Sequence, residues 1–324
     1  MAVDGVVLVT GVNGFIGTRL AERLLADGTP VRGMDVQSRE DGPRVEFVRG
    51  DVTRPETLDG ALAGCRLVFH CVRWTGRPWT WEAARAVEVD GARNLFQACL
   101  RARVSRVICL SSLAVYGPTH ESLITEETAL WPVGVYGATK VEAERVGVRA
   151  VESGLDLVTL RSGQVYGPGA PGGTLSVVRR LLAGWPVLVD GGRGMHHPVF
   201  VSNLIDAMVA AATRESIAGE TFNVADGDLS WREFCGHYAR MTRRPLRSAP
   251  AAAFWLWGAA AELAGKMSGR PPRLQRADLG YLTRHTRCST GKARARLGWS
   301  PARPVAEAME ETERWLRAKG LIGT

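Results

Sequence analysis

Lysine is scarce in this chain. Only Lys140, Lys266, Lys292 and Lys319 contribute to its 41 cationic side chains, and the rest are arginines. The net charge of +8 is distributed among 33 acidic residues and never gathers into a basic arm. With no aromatic-and-basic stripe and no helix-turn-helix spacing, nucleic-acid binding is not expected. The six cysteines (Cys65, Cys71, Cys99, Cys109, Cys235, Cys288) form no CxxC pair and have no histidine at zinc spacing, so they read as reduced core thiols and no metal site is expected. The longest apolar run, residues 251–261, is too short for a bilayer, which takes roughly 20 residues. No basic region precedes the apolar N-terminal segment, as a signal peptide would require. There is no internal repeat and no low-complexity linker. These absences describe a cytoplasmic globular chain, and 324 residues with 45% hydrophobic and 23% charged side chains suffice for one compact unit with a smaller annex.

Short β-branched runs at 6–9, 31–34, 45–48, 67–69, 107–110 and 157–160 alternate with helical periodicity over stretches such as 81–103 and 140–153. That alternation predicts an α/β fold with a doubly wound parallel sheet. Glycine and proline cluster at 167–173, a helix is expected over 174–182, and a further strand and helix over 198–213. The last third is mainly helical. Its apolar segment 251–265, AAAFWLWGAAAELAG, is expected to be a packed core helix, ahead of a lid over an apolar substrate or a membrane-surface contact.

The sequence TGVNGFIG sets Gly11, Gly14 and Gly17 between the first strand and the first helix. Glycines at this spacing let the backbone turn sharply, so that a pyrophosphate can approach the amides of Phe15, Ile16 and Gly17 where the helix dipole favours negative charge. Asp35 follows 18 residues after Gly17, at the end of the next strand. A carboxylate there accepts ribose hydroxyls and repels a 2′-phosphate, so NAD is the expected cofactor. Arg32 and Arg39 nearby keep NADP open. On this reading residues 1–167 bind the dinucleotide, with 195–226 returning to that unit, and 168–194 and 227–324 form the substrate-binding domain.

Tyr136 and Lys140 lie four residues apart at the start of a helical stretch and therefore share one face. An ammonium beside a phenol favours the phenolate, which suits Tyr136 for general acid–base work. Ser112, just beyond the strand 107–110, is suited to hydrogen-bond the reacting oxygen. Tyr116 is a rival base, but His120 rather than a lysine follows it at the same spacing. No G-x-S-x-G elbow surrounds Ser111 or Ser112, which argues against a serine hydrolase.

Together TGVNGFIG, Gly50-Asp51-Val52, VFH at 68–70, SSLAVYG, YGATK, LRSGQVYGPG and FNVADG resemble the extended short-chain dehydrogenase/reductase family, in order over most of the chain. The resemblance implies a Rossmann-type sheet with a smaller, mostly helical C-terminal substrate-binding domain. It also implies a Ser112–Tyr136–Lys140 catalytic set, adenine contacts from Asp51 and Val52, and a homodimer formed through the two helices flanking the site. Four departures stand out. His196-His197-Pro198 replaces the Arg-Asp pair usual in nucleotide-sugar members, Ser162 replaces a proline, Val72-Arg73 replaces an alanine pair, and Glu88 replaces the asparagine of an NVxGT motif. The tail looks most like the 3β-hydroxysteroid and sterol-carboxylate dehydrogenase branch. The expected activity is therefore NAD(P)-dependent interconversion of a secondary alcohol and a ketone on a bulky, largely apolar small molecule. Arg73, Gln164 and His197 are the substrate-side candidates; Arg73 could anchor a carboxylate or form a surface ion pair. A nucleotide-sugar 4-epimerase or dehydratase is the first alternative, and a non-catalytic cofactor-binding regulatory protein the second.

Overall fold

A computed structural model describes residues 5–38, 42, 44–76, 80–268 and 276–323. Arg39 and the 269–275 part of the tail motif lie outside them. The first strand, β1 (Val6–Thr10), is buried along nearly its whole length, as a strand covered on both faces must be. It is followed by α1 (Phe15–Ala26), β2 (Val31–Asp35), β3 (Glu46–Arg49) and β4 (Cys65–His70). After β4 a helix runs from Trp81 through one wider, π-type turn (Ala86–Asp90) into α2 (Gly91–Arg101). Then come β5 (Arg106–Ser112), α3 (Gly134–Glu152), β6 (Leu157–Ser162), α4 (Val201–Thr213) and β7 (Thr221–Val224).

Among the described residues these strands form one parallel sheet in the order β7-β6-β5-β4-β1-β2-β3. The order reverses between β1 and β4, and an open α/β sheet gathers ligands at such a switch, beyond the carboxyl ends of its strands. Strand alternation sorts the core into two layers. Val7, Val9, Ile108, Val158 and Leu160 face the α1 and α4 side, while Leu8, Val68, Val107 and Leu157 face α2 and α3. The strand expected near 198 forms, but Pro198–Phe200 pairs with Gln164–Tyr166 in a separate small sheet, and the seventh strand of the main sheet is supplied by FNV within 221–224.

The helix α5 (Trp231–Thr242) opens with a capping box between Ser230 and Glu233. The segment 251–265 does become a helix, α6 (Ala251–Ser268), but not a core helix. Phe254 is buried, whereas Trp255, Leu256, Trp257, Leu263 and Met267 are exposed. Its apolar residues recur all around the helix, so one side packs inward and the rest faces outward. No helix among the described residues is long and apolar enough to cross a membrane. The last helix, α7 (Val305–Ala318), is reached through a tail pinned by Asn203. That side chain exchanges hydrogen bonds with the Arg303 backbone at 3.0 Å, and the Asn203 backbone carbonyl accepts from Trp299 Nε1 at 2.9 Å.

Candidate active site

A cleft of about 1200 Å³ runs across the carboxyl ends of β2, β1, β4 and β5. At its centre is the glycine turn. Gly11 has φ +71°, and a Cβ there would lie 3.0 Å from the Cys71 carbonyl carbon. Gly17 does not line the cleft. A Cβ at Gly17 would fall 2.2 Å from the Gly11 carbonyl oxygen, so this glycine lets α1 abut the turn. Gly14 caps α1 without a side-chain hydrogen bond, the first turn carries no acid, and the first helical bond runs from Thr18 N–H to the Gly14 carbonyl. The N–H groups of Phe15, Ile16 and Gly17 thus have no partner within the helix, and those of Phe15 and Ile16, which line the cleft, fit a bound pyrophosphate.

Asp35 closes β2 at one end of the cleft. Its carboxylate accepts the Asn13 N–H at 3.1 Å and the Val36 N–H at 2.8 Å, leaving acceptor capacity toward the cleft. Arg32 points elsewhere, pairing with Glu46 at 3.0 Å and donating to the Ala61 and Ala63 carbonyls. This fits the ribose hydroxyls of NAD. Asp51 accepts from Thr53 N–H and Oγ1 at 2.9 and 2.8 Å, and Val52, whose carbonyl is held by Asn94 at 3.0 Å, completes that end.

At the other end Ser112, Tyr136 and Lys140 line the same cleft. Ser112 finishes β5, with its Oγ accepting the Ala114 N–H at 3.2 Å. Tyr136 lies in the first turn of α3, and Lys140 follows one turn later. The buried Lys140 Nζ donates to the Leu110 carbonyl at 3.3 Å, lies 3.1 Å from Glu88 Oε2, and is 5.9 Å from the Tyr136 ring centroid. Burial opposes the Lys140 charge, but Glu88 and Tyr136 outweigh it and the ammonium is held well above its ordinary range. Arg73 places its guanidinium carbon 4.6 Å from the same ring centroid.

The sequence profile of the NAD dependent epimerase/dehydratase family matches residues 7–225. The chain belongs to that family. UDP-glucose 4-epimerase of Mycolicibacterium smegmatis is 32% identical over 96% of this chain and 98% of its own length. The decarboxylating sterol-4-alpha-carboxylate 3-dehydrogenase of Homo sapiens is 29% identical over 68% of this chain and 62% of its own. The solved complex of Thermus thermophilus UDP-glucose 4-epimerase with NAD is 27% identical, with TM-score 0.75 over 96% of this chain and 99% of that one. As a family member the chain is an NAD-dependent enzyme acting on CH–OH groups, and the non-catalytic alternative is set aside.

Of the substrate-side candidates in this epimerase/dehydratase-family cleft, Arg73 and Gln164 line it and His197 does not. His197 is fully buried, with Nδ1 2.9 Å from Asp228 Oδ1, and its backbone carbonyl pairs with Gln164 N–H. Its neighbour His196 is also buried, stacked on Trp231 at 3.9 Å between centroids. Tyr116, the rival base, lies beneath the site. Its hydroxyl donates to Asn223 at 2.8 Å and accepts from Arg161 at 2.6 Å, and burial pushes its ionisation upward. Arg161 in turn forms a closed pair with Glu144 at 2.7 Å.

Sequence reasoning singled out Glu88 only as a departure from a motif and assigned it no partner. The wide turn Ala86–Asp90 delivers its carboxylate to Lys140, as π-type turns often do at functional sites. Trp74 and Tyr281 also wall the cleft, and no motif pointed to either. Among the described residues no three His, Cys, Asp or Glu side chains are placed to hold a metal ion.

Proposed function

We propose that this enzyme interconverts a secondary alcohol and a ketone on a bulky, largely apolar substrate, with Tyr136 as acid–base, Ser112 and Lys140 beside it, and NAD held from the glycine turn to Asp35. The observation that carries the reading is the lining of the cleft beyond Tyr136. Val72, Trp74, Val133, Val135 and Tyr281 are apolar or aromatic, and among the described residues Arg73 and Lys140 are the cations present. A nucleotide diphosphate would call for more positive charge. The sterol dehydrogenase relative supports the same direction. Residues 168–194 and 227–324 are then the substrate-binding domain, contributing Pro171, Gly172, Gly173 and Tyr281 to a cleft otherwise lined by the cofactor-binding unit of 1–167 and 195–226.

When bound, NAD supplies the hydride acceptor and its reduced form the donor. Ser112 Oγ–H donates to the substrate oxygen and fixes it beside Tyr136. As the carbinol carbon gives up its hydride, Tyr136 Oη takes the hydroxyl proton; in the ketone direction it returns one. Lys140 donates to the Leu110 carbonyl and is ion-paired with Glu88, which leaves it a donor for a ribose hydroxyl.

A second reading, a nucleotide-sugar 4-epimerase or dehydratase, is favoured by the 32% identity to UDP-glucose 4-epimerase. A panel of hydroxysteroids and other lipophilic secondary alcohols, run beside UDP-glucose with NAD, separates the two. NADH is expected to accumulate with a lipophilic alcohol, whereas conversion of UDP-glucose without net NADH supports the second reading and overturns the first. A homodimer through α2 and α3 is part of the proposal, supported by the exposed Val148 on α3 and checked by light scattering. The six free cysteines support a cytoplasmic location.

A further inference from the structure

Arg284 is a buried cation that no carboxylate balances among the described residues. It follows the short helix Ala277–Thr283, and its backbone carbonyl accepts the Met195 N–H at 2.6 Å, which seats it beside the strand Met195–His196. Only 6% of the residue is exposed. Its Nη1 donates to the Gly117 carbonyl at 2.8 Å, and its guanidinium carbon lies 4.1 Å from the Tyr281 ring centroid. Nε and Nη2 have no acceptor among the described residues. The nearby acid Asp228 is committed elsewhere, to His197, the Cys288 N–H and Arg287. A guanidinium does not give up its proton in a protein, so burial is not relieved by neutralisation. One carbonyl and one aromatic face offset only part of the cost of burying that charge.

The surroundings are short of acceptors as well. Both ring nitrogens of His196, Nε2 of His197 and Nε1 of Trp231 are buried without a partner among the described residues. Burial, assisted by Arg284, pushes both histidines down and keeps them neutral. A neutral imidazole retains one N–H, and the indole and the guanidinium offer donors only. Tyr281, on whose ring Arg284 stacks, lines the cleft and Arg284 does not, so this corner lies behind the cleft wall. We propose that Arg284 anchors a small monoanion of the carboxylate class there, carried by the substrate or present as a free ion. One guanidinium among neutral donors matches a single negative charge and not a diphosphate. The substrate-borne source rests on the reaction proposed above; the free-ion source does not.

Urea unfolding and refolding of the full-length protein with sodium formate or sodium acetate tests the site without turnover. The anion is present while the chain is unfolded, so it need not pass Tyr281 to enter. The parent should gain stability along a saturating curve, because the anion binds the folded state alone. Arg284→Met should lose at least about tenfold in anion affinity, the worth of one charge-assisted hydrogen bond. Arg284→Lys, which keeps the charge without the planar fork, should fall between the two and serves if the methionine variant fails to fold. A parent without a saturating gain, or variants that respond as strongly as the parent, mean that water alone fills the corner and overturn the inference. NADH formation from lipophilic secondary alcohols with and without a carboxylate then separates the sources. A kcat/KM that falls further in Arg284→Met for the carboxylated alcohol assigns the anion to the substrate, and equal falls assign it to a free ion. If no alcohol is turned over, the proposed reaction fails while the urea titration still decides the anion site.

Discussion

The two ends of the cleft are built differently. The end that fits the adenosine and pyrophosphate is made mainly from backbone amides and the Asp35 carboxylate of one strand-turn-helix-strand unit, from Val6 to Asp35, with Asp51 and Val52 added after β3. The end at Tyr136 draws its side chains from four separate segments, contributing Arg73, Glu88, Ser112 and the pair Tyr136–Lys140. A site built from local backbone geometry tolerates little change in shape, whereas one built from converging side chains can be retuned by single substitutions.

The largest effect is expected at the converging end. Tyr136→Phe should lower kcat by about 10²–10⁴-fold, the usual contribution of a positioned acid–base, while NAD affinity by calorimetry stays close to that of the parent. Loss of both together would mean the two ends are not separable. At the local end Gly17→Ala places a Cβ 2.2 Å from the Gly11 carbonyl oxygen. The expected result is weaker NAD binding and a loss of about 1–3 kcal/mol of stability in urea unfolding, as overpacking usually gives. Unchanged binding would break the proposed role of the turn.

Buried histidines give the fold a pH dependence of its own. His70 lies next to the turn, hydrogen-bonded to Thr10 at 2.9 Å, and His196 and His197 are buried away from the cleft, against Trp231 and Asp228. Burial lowers all three, and His70 falls to about 3. Below their unfolded value near 6.5 the unfolded chain takes up protons that the folded chain refuses. Stability should therefore fall as pH drops from about 6.5 toward 3, by about 1.4 kcal/mol per pH unit for His70, with His196 and His197 contributing in the same direction. Urea midpoints measured from pH 7 downward check this, and His70→Asn should remove its own share of the slope. The smallest effect is expected from Asp35→Ala, which should shift the NAD-to-NADP preference by about tenfold toward NADP, the worth of one charged hydrogen bond. A preference that stays put would show that Asp35 does not read the ribose.

The same contrast explains what could be read from sequence. Gly11, Gly14, Gly17 and Asp35 are legible because their spacing is fixed by one turn and two strands, and Tyr136 and Lys140 because a helix fixes four residues to one face. The parallel sheet followed from the alternation of runs, although the seventh strand was hidden in FNV, too short for a periodic signal. Glu88 was visible only as a departure, since its partner Lys140 is brought to it by packing of α3 against the helix containing the wide turn. His197 looked available beside a proline, yet strand pairing with Gln164 turns it into the interior. The exposed face of α6 was illegible for the opposite reason. An apolar helix reads the same whether neighbours cover it or not.

All of this requires one continuous cleft that holds NAD from Asp35 at one end to Tyr136 at the other. A crystal structure of the enzyme with NAD tests that requirement most directly. Pyrophosphate is expected at the N–H groups of Phe15 and Ile16, and the nicotinamide ring beside Ser112 and Tyr136. A nicotinamide ring directed away from Tyr136, or a dinucleotide bound outside the glycine turn, would contradict it.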